Sequence, residues 1–338
     1  MAERRRRRGR GERPMVPKAE FRSYYGLPIL NKPVWSAPDI AGYLFLGGLA
    51  GASSALGAVA EVRGDDALAR VSKSGAAAAA VLSLGALVHD LGRPTRFLHM
   101  LRVVKVTSPM NLGSWLLSAY APAALTAAGS ALTGRLRPLG AAGTAGAAVL
   151  GPVVASYTAV LVSDTAVPAW HDAYREMPFV FVGSGAMAAG GLGLVGAPVG
   201  EQGIARRVGL MGAAAEVVGL HVMERRLGMV AEPYRTGRSG RLMKLGEALA
   251  LAGSAVAVVG GVDKGGSGRR RRTTGVVAGA LMLAASACTR FGIFAAGVAS
   301  AEDPRATVQP QRERLRRSSV TTGEGATSSE GATTGTGG

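Results

Sequence analysis

The stretch LVHDLGRPTRFLHMLR, residues 87–102, ends a greasy run in a knot of titratable and cationic groups. His89 and Asp90 come first, then Arg93, Arg96, His99 and Arg102. Histidine titrates near neutral pH. A carboxylate beside the C-terminal carbonyls of a helix opposes the local dipole and needs a cationic partner, most simply Arg93 or Arg96. His89 and Asp90 side by side are therefore candidates for proton exchange. The plainer alternative is an interfacial helix end, with its cations among carbonyls and headgroups. Glu216, Glu247 and Arg290 sit inside otherwise apolar stretches. Charges there are expensive and face partners or water. Lys244 and Glu247, three apart, can pair at a helix end. Glu216 and Arg290 suit either a buried ion pair or a proton-conducting chain.

The elements that position these groups follow from charge spacing. Of the 338 residues, 48% are apolar and 50 are Gly, roughly twice the usual share. The 39 Lys and Arg gather in short clusters. A soluble globule would instead show charge every few residues on the outer face of each helix. Residues 40–60, 112–132, 139–162 and 178–199 contain no charged side chain. Each is long enough to cross about 30 Å of hydrocarbon as a helix. Residues 71–88, 208–223, 242–261 and 273–300 carry one or two polar interruptions. The expectation is an all-α integral membrane protein of eight transmembrane helices, arranged as two four-helix bundles. Its segments are rich in Ala and Gly, which lets backbones approach closely in lipid; Gly47 and Gly51 form a G-x-x-x-G pair.

Residues 1–35 are basic and precede any apolar core, so they are expected to be a flexible, solvated arm rather than a signal peptide. The arm lacks the interleaved aromatics of a nucleic-acid site. Residues 36–301 form the eight-helix domain, and 302–338 a disordered polar tail of low complexity. The single Cys288 excludes intrachain disulfides and Cys-ligated iron–sulfur clusters. With eight spans both ends share one face. That face carries the larger share of Lys and Arg, which places it in the cytoplasm.

Between about residues 24 and 301 the chain resembles the membrane subunit of polysulfide reductase and NrfD-type complexes. The motifs are FRSYYGLPIL, YLFLGGLAGASS, HDLGRPTRF, SPMNLGSW, SYTAVLVSDTAVPAWHDAY and ERRLG. HDLGRPTRF followed by SPMNLGSW is the specific part. Within the family the resemblance is greatest to the subunit that accompanies formate-dehydrogenase-like catalytic subunits. It implies a bacterial inner (cytoplasmic) membrane anchor that exchanges electrons between quinone, such as menaquinone, and a four-cluster ferredoxin-like iron–sulfur subunit. That subunit would in turn serve a molybdopterin catalytic subunit. No haem or metal is expected in this chain, and none of its activity without partners. Four histidines are present, and His99 and His171 fall in loops, so only His89 and His221 could share a haem.

The resemblance also implies a quinone site. Tyr43 stands where the archetype offers a histidine to the quinone head, and a phenol donates a hydrogen bond but exchanges protons poorly at neutral pH. Tyr157 matches the archetype's quinone-contacting tyrosine. His89 and Asp90 would exchange protons, Arg93 and Arg96 would hold the carboxylate ionised, and Glu216 and Arg290 would extend a proton path. Either tyrosine suits an interfacial belt equally well. Trp170, His171 and Tyr174 suit docking of the iron–sulfur subunit or anchoring in the headgroup layer. A transporter or permease, and a passive anchor whose quinone site has decayed, remain open alternatives.

Overall fold

The computed structural model describes residues 30–308 apart from positions 32, 94, 263 and 264. Most of the basic arm and the tail from 309 lie outside the described residues. The described part is helical, and eight of its helices run for 20 residues or more. They are α1 (Ala37–Arg63), α2 (Asp66–Asp90), α3 (Pro109–Thr133), α4 (Arg137–Ser163), α5 (Met177–Gly196), α6 (Gln202–Leu227), α7 (Gly237–Val262) and α8 (Gly268–Glu302). Each of the eight expected apolar segments falls on one of them. All but α5 run beyond the apolar segment at both ends, because polar residues there remain solvated while the backbone continues to pair. Six helices (α1, α2, α4, α5, α7 and α8) are long and apolar enough to cross a membrane. The charges of α6, Arg206, Arg207, Glu216 and Glu224 among them, lower its mean hydropathy; in α3 the Ser, Tyr and Pro content does so.

Local signals set the ends. Pro stands in the first turn of α1 and α3, where its missing N–H is not needed. Both helices end at glycines in the left-handed region, Gly64 (φ 78°) and Gly134 (φ 68°). Residues 304–308, assigned to the polar tail from composition, are helical; Asp303 Oδ1 accepts the Arg305 N–H at 2.9 Å and caps that turn.

Packing divides the helices into two groups of four. α1 packs on α2 and α4, and α3 closes the ring between them. α5 packs on α6 and α8, and α7 lies chiefly on α8. α1 and α5 meet between the groups, with α4 and α8 also at the junction. Small residues permit these approaches. A β-carbon on Gly51 would overlap the Gly151 carbonyl on α4, and one on Gly185 would stand 2.8 Å from the Gly48 carbonyl on α1. The Gly47 and Gly51 pair thus seats α1 against α4, Gly47 facing Thr158 and Gly51 facing Gly151.

The two faces differ. On the side opposite the chain ends the connections are short, residues 64–65, 134–136, 197–201 and 263–267. On the side of the chain ends they are residues 91–108, 164–176 and 228–236, and they contain short helices. These longer loops are braced. Tyr234 donates to the Ala169 carbonyl at 2.8 Å, and Arg226 grips both oxygens of Glu176 at 2.6 Å.

Candidate functional site

At the braced face, α1, α2, α3 and α4 enclose a cavity of about 70 Å³. Tyr43, Asp90, Tyr157, Trp35, Met100 and Met110 are among its walls. Tyr43, Asp90 and Tyr157, far apart in sequence, are thereby brought together. His89, Arg93 and Arg96 are not part of it and point to the exterior.

Asp90 finds a partner other than the one its neighbours suggested. Its Oδ1 accepts the Ser36 N–H at 2.9 Å, just ahead of α1. Arg96 instead donates to the Leu91 carbonyl at 3.0 Å. Among the described residues no ion pair joins Asp90 to Arg93 or Arg96, which corrects the expected pairing. The physical reason is the antiparallel neighbour. The carboxylate that opposes the dipole at the end of α2 lies at the start of α1, where the dipole favours negative charge. His89 Nδ1 lies 3.0 Å from Asp39 Oδ2 in the first turn of α1, and its side chain is 79% exposed. Adjacent residues on α2 therefore face differently, Asp90 toward the cavity and His89 toward the surface.

The two tyrosines are not equivalent. Tyr157 donates its proton to the Pro109 carbonyl at 2.7 Å. Tyr43 is buried and makes no side-chain hydrogen bond among the described residues, so its proton is available to a ligand in the cavity. Tyr157 reaches this position because Gly113 leaves room; a β-carbon there would fall on the phenol ring.

The SPMNLGSW motif has a role that its sequence alone does not reveal. Asn111 Nδ2 donates to the Met100 and Val103 carbonyls at 2.6 and 2.8 Å, and its Oδ1 accepts the Lys105 N–H at 2.7 Å. Trp115 adds a bond to the Val103 carbonyl at 3.2 Å. These four bonds fix the loop that follows HDLGRPTRF and place Met100 in the cavity wall. A glycine and an asparagine in the first turns of a helix carry a signal, since neither favours a helix without a tertiary reason.

Trp170 is also corrected. It is fully buried, donates to the Ile293 carbonyl at 2.8 Å, and stacks between Trp35 (5.8 Å) and Phe294 (5.6 Å). It is a structural wall behind the cavity and not a docking side chain. His171 and Tyr174 do face outward. A larger cavity of about 630 Å³ lies at the edge of the second helix group, with Leu242, Phe291, Phe294 and Arg238 among its walls. It is the roomier of the two, but the smaller cavity is the one that joins a free phenol to a carboxylate.

Glu216 and Arg290 lie deep between α5, α6 and α8. Both are fully buried, and among the described residues no ion pair joins them; each bonds elsewhere. Glu216 Oε1 accepts from Thr289 Oγ1 at 2.6 Å, and its Oε2 has no partner. Arg290 Nη2 donates to the Phe181 carbonyl at 2.6 Å, and its Cζ stands 3.6 Å above the Phe181 ring centre. Its Nε and Nη1 have no partner. The guanidinium rests against Gly48 of α1. Tyr43 is five residues earlier on that helix, about 7.5 Å along its axis at 1.5 Å per residue. Lys244 and Glu247 do not pair; Glu247 lies 3.7 Å from His221 Nε2. Each of these two histidines thus meets an acid of its own, His89 with Asp39 and His221 with Glu247.

Residues 29–195 match a family model described as polysulphide reductase, NrfD. The match contains Tyr43, Asp90, Gly113 and Tyr157, and ends before Glu216 and Arg290. No curated protein matches the chain.

Proposed function

This chain belongs to the polysulphide reductase NrfD family, and on that premise we propose that it is the quinone-reactive subunit of a membrane-bound molybdopterin oxidoreductase. The complex would be of formate dehydrogenase or polysulfide reductase type. Electrons would pass between the quinone pool and a four-cluster ferredoxin-like subunit docked on the braced face, with His171 and Tyr174 at the contact. The observation that carries this reading is the convergence of Tyr43, Asp90 and Tyr157 on one apolar cavity.

Each group has a distinct task. The unbonded Tyr43 hydroxyl donates to one quinone carbonyl. Tyr157, its proton engaged by Pro109, presents its ring and the oxygen lone pairs. Reduction of a quinone takes up two electrons and two protons, and an apolar slot cannot supply protons without a titratable neighbour. Asp90 is that neighbour, and the His89 and Asp39 pair beside it meets water. Glu216 and Arg290, each with unpartnered atoms, form a second polar station close to Gly48, suited to water-linked proton movement. The cavity is far below the roughly 300–1,000 Å³ of small-molecule sites. Ring entry therefore requires its flexible wall, Met100 and Met110, to move.

A photoreactive menaquinone analogue tests the assignment on the assembled complex. Label is expected on residues 87–117 and around Tyr157, and excess menaquinone should compete it away. Competable label confined to the larger cavity, at residues 291–306, would overturn the assignment.

A permease reading has one observation in its favour, the buried Glu216 and Arg290 cluster. Purification separates the two: the redox subunit brings an iron–sulfur protein and a molybdopterin protein with it, and a permease does not.

A further inference from the structure

The face opposite the cavity holds an unbalanced pair of cations. Arg206 leaves the second turn of α6, and Arg271 leaves the first turn of α8. The Arg206 stem crosses Gly261 in the last turn of α7, with Nε and Nη1 each 3.4 Å from where a β-carbon on that glycine would stand. The Nε atoms of Arg206 and Arg271 are both shielded from solvent and have no hydrogen-bond partner among the described residues. Burial and the nearby Arg271 charge push the Arg206 guanidinium below its ordinary pKa. Among the described residues the neighbouring groups give no relief. Glu201 accepts the Leu68 N–H at 2.9 Å. Arg272 caps α5, donating to the Val195 carbonyl at 2.6 Å and the Ala197 carbonyl at 2.5 Å. Arg207 and Arg269 add exposed positive charge at the rim.

Two half-buried guanidinia close enough to repel, each with an unpartnered Nε, call for an anion. Their depth indicates which. Both leave the first two turns of helices whose apolar segments begin a few residues later, the level at which headgroup phosphates lie. The partner-facing loops and the cavity are on the other side, so no subunit is needed here. We propose that Arg206 and Arg271, over Gly261, bind the phosphate of an anionic phospholipid headgroup at the α6–α7–α8 junction.

The full chain in neutral detergent provides the test, by native mass spectrometry and thermal unfolding. Phosphatidylglycerol, phosphatidylcholine and inorganic phosphate are added separately. Phosphatidylglycerol should bind one-to-one and raise the unfolding temperature; the other two should not. Arg206→Gln with Arg271→Gln should weaken phosphatidylglycerol about thirtyfold, equivalent to roughly 2 kcal/mol for two cations at an anionic surface. Arg207→Gln with Arg269→Gln should weaken it far less. The sign without lipid is a separate check that does not require binding. Arg206→Gln alone should unfold at a higher temperature than wild type, because repulsion is relieved. The proposal fails if phosphatidylcholine or inorganic phosphate acts equally well, if the double variant binds like wild type, or if Arg206→Gln is destabilised without lipid. Crosslinking of position 206 to a partner subunit in the complex would likewise replace the lipid with a protein interface.

Discussion

Tyr43→Phe removes a hydroxyl that no described protein group uses. The ring volume is kept, and no hydrogen bond among the described residues is lost. Folded stability should therefore change by less than about 1 kcal/mol. In the quinone complex one hydrogen bond disappears, worth roughly 0.5–1.5 kcal/mol net. That corresponds to about a two- to twelvefold rise in the quinone KM. Tyr157→Phe behaves differently. It leaves the Pro109 carbonyl without its 2.7 Å donor, so the main loss is stability, about 1–3 kcal/mol if that carbonyl stays dry. The assay is quinone-linked turnover of the assembled complex over a range of quinone concentrations, with an artificial dye reporting the catalytic subunit independently. Thermal unfolding of the same samples gives the stability arm. A wild-type KM in Tyr43→Phe together with a raised KM in Tyr157→Phe would refute this division of roles.

Three further perturbations follow from the same geometry. Gly113→Ala places a β-carbon on the Tyr157 phenol; overpacking of this kind costs about 1–3 kcal/mol, so unfolding temperature and quinone turnover should both fall while dye activity is spared. Asn111→Ala removes three of the bonds that fix residues 100–105, and faster hydrogen exchange across that loop should accompany slower quinone turnover. Arg290→Gln should reduce folded yield by removing the bond to Phe181, and a cycle with Glu216→Gln should show coupling of about 0.5–3 kcal/mol; strictly additive effects would mean that the two charges do not sense each other.

Much of the architecture was legible because lipid imposes a severe rule on sequence. Long apolar runs with little or no charge leave few alternatives to a helix, and each of the eight runs, four uncharged and four with polar interruptions, falls on one. Tyr43, Asp90 and Tyr157 were singled out through their motifs rather than through periodicity, and they line one cavity. Their partners were not. Asp90 was assigned to Arg93 or Arg96 because those cations are close in sequence, while the start of α1, more than fifty residues away, supplied the contact. Trp170 suited docking because its loop lies on the face where electrons would leave the quinone. Its burial depends on Trp35 and Phe294, from distant parts of the chain. Glu216 and Arg290 were rightly singled out as costly, but which carbonyl or hydroxyl satisfies them depends on helix rotation, and charge spacing does not encode that.

Asp90→Asn is the most direct measurement. The amide keeps the shape and can still accept the Ser36 N–H through its oxygen, so only the titratable charge is lost. The expected result is an assembled complex with normal dye activity and quinone-linked turnover reduced at least about tenfold, roughly 1.4 kcal/mol of transition-state stabilisation. An assembled Asp90→Asn complex that turns over quinone at the wild-type rate would contradict the assignment and leave HDLGRPTRF as an interfacial helix end.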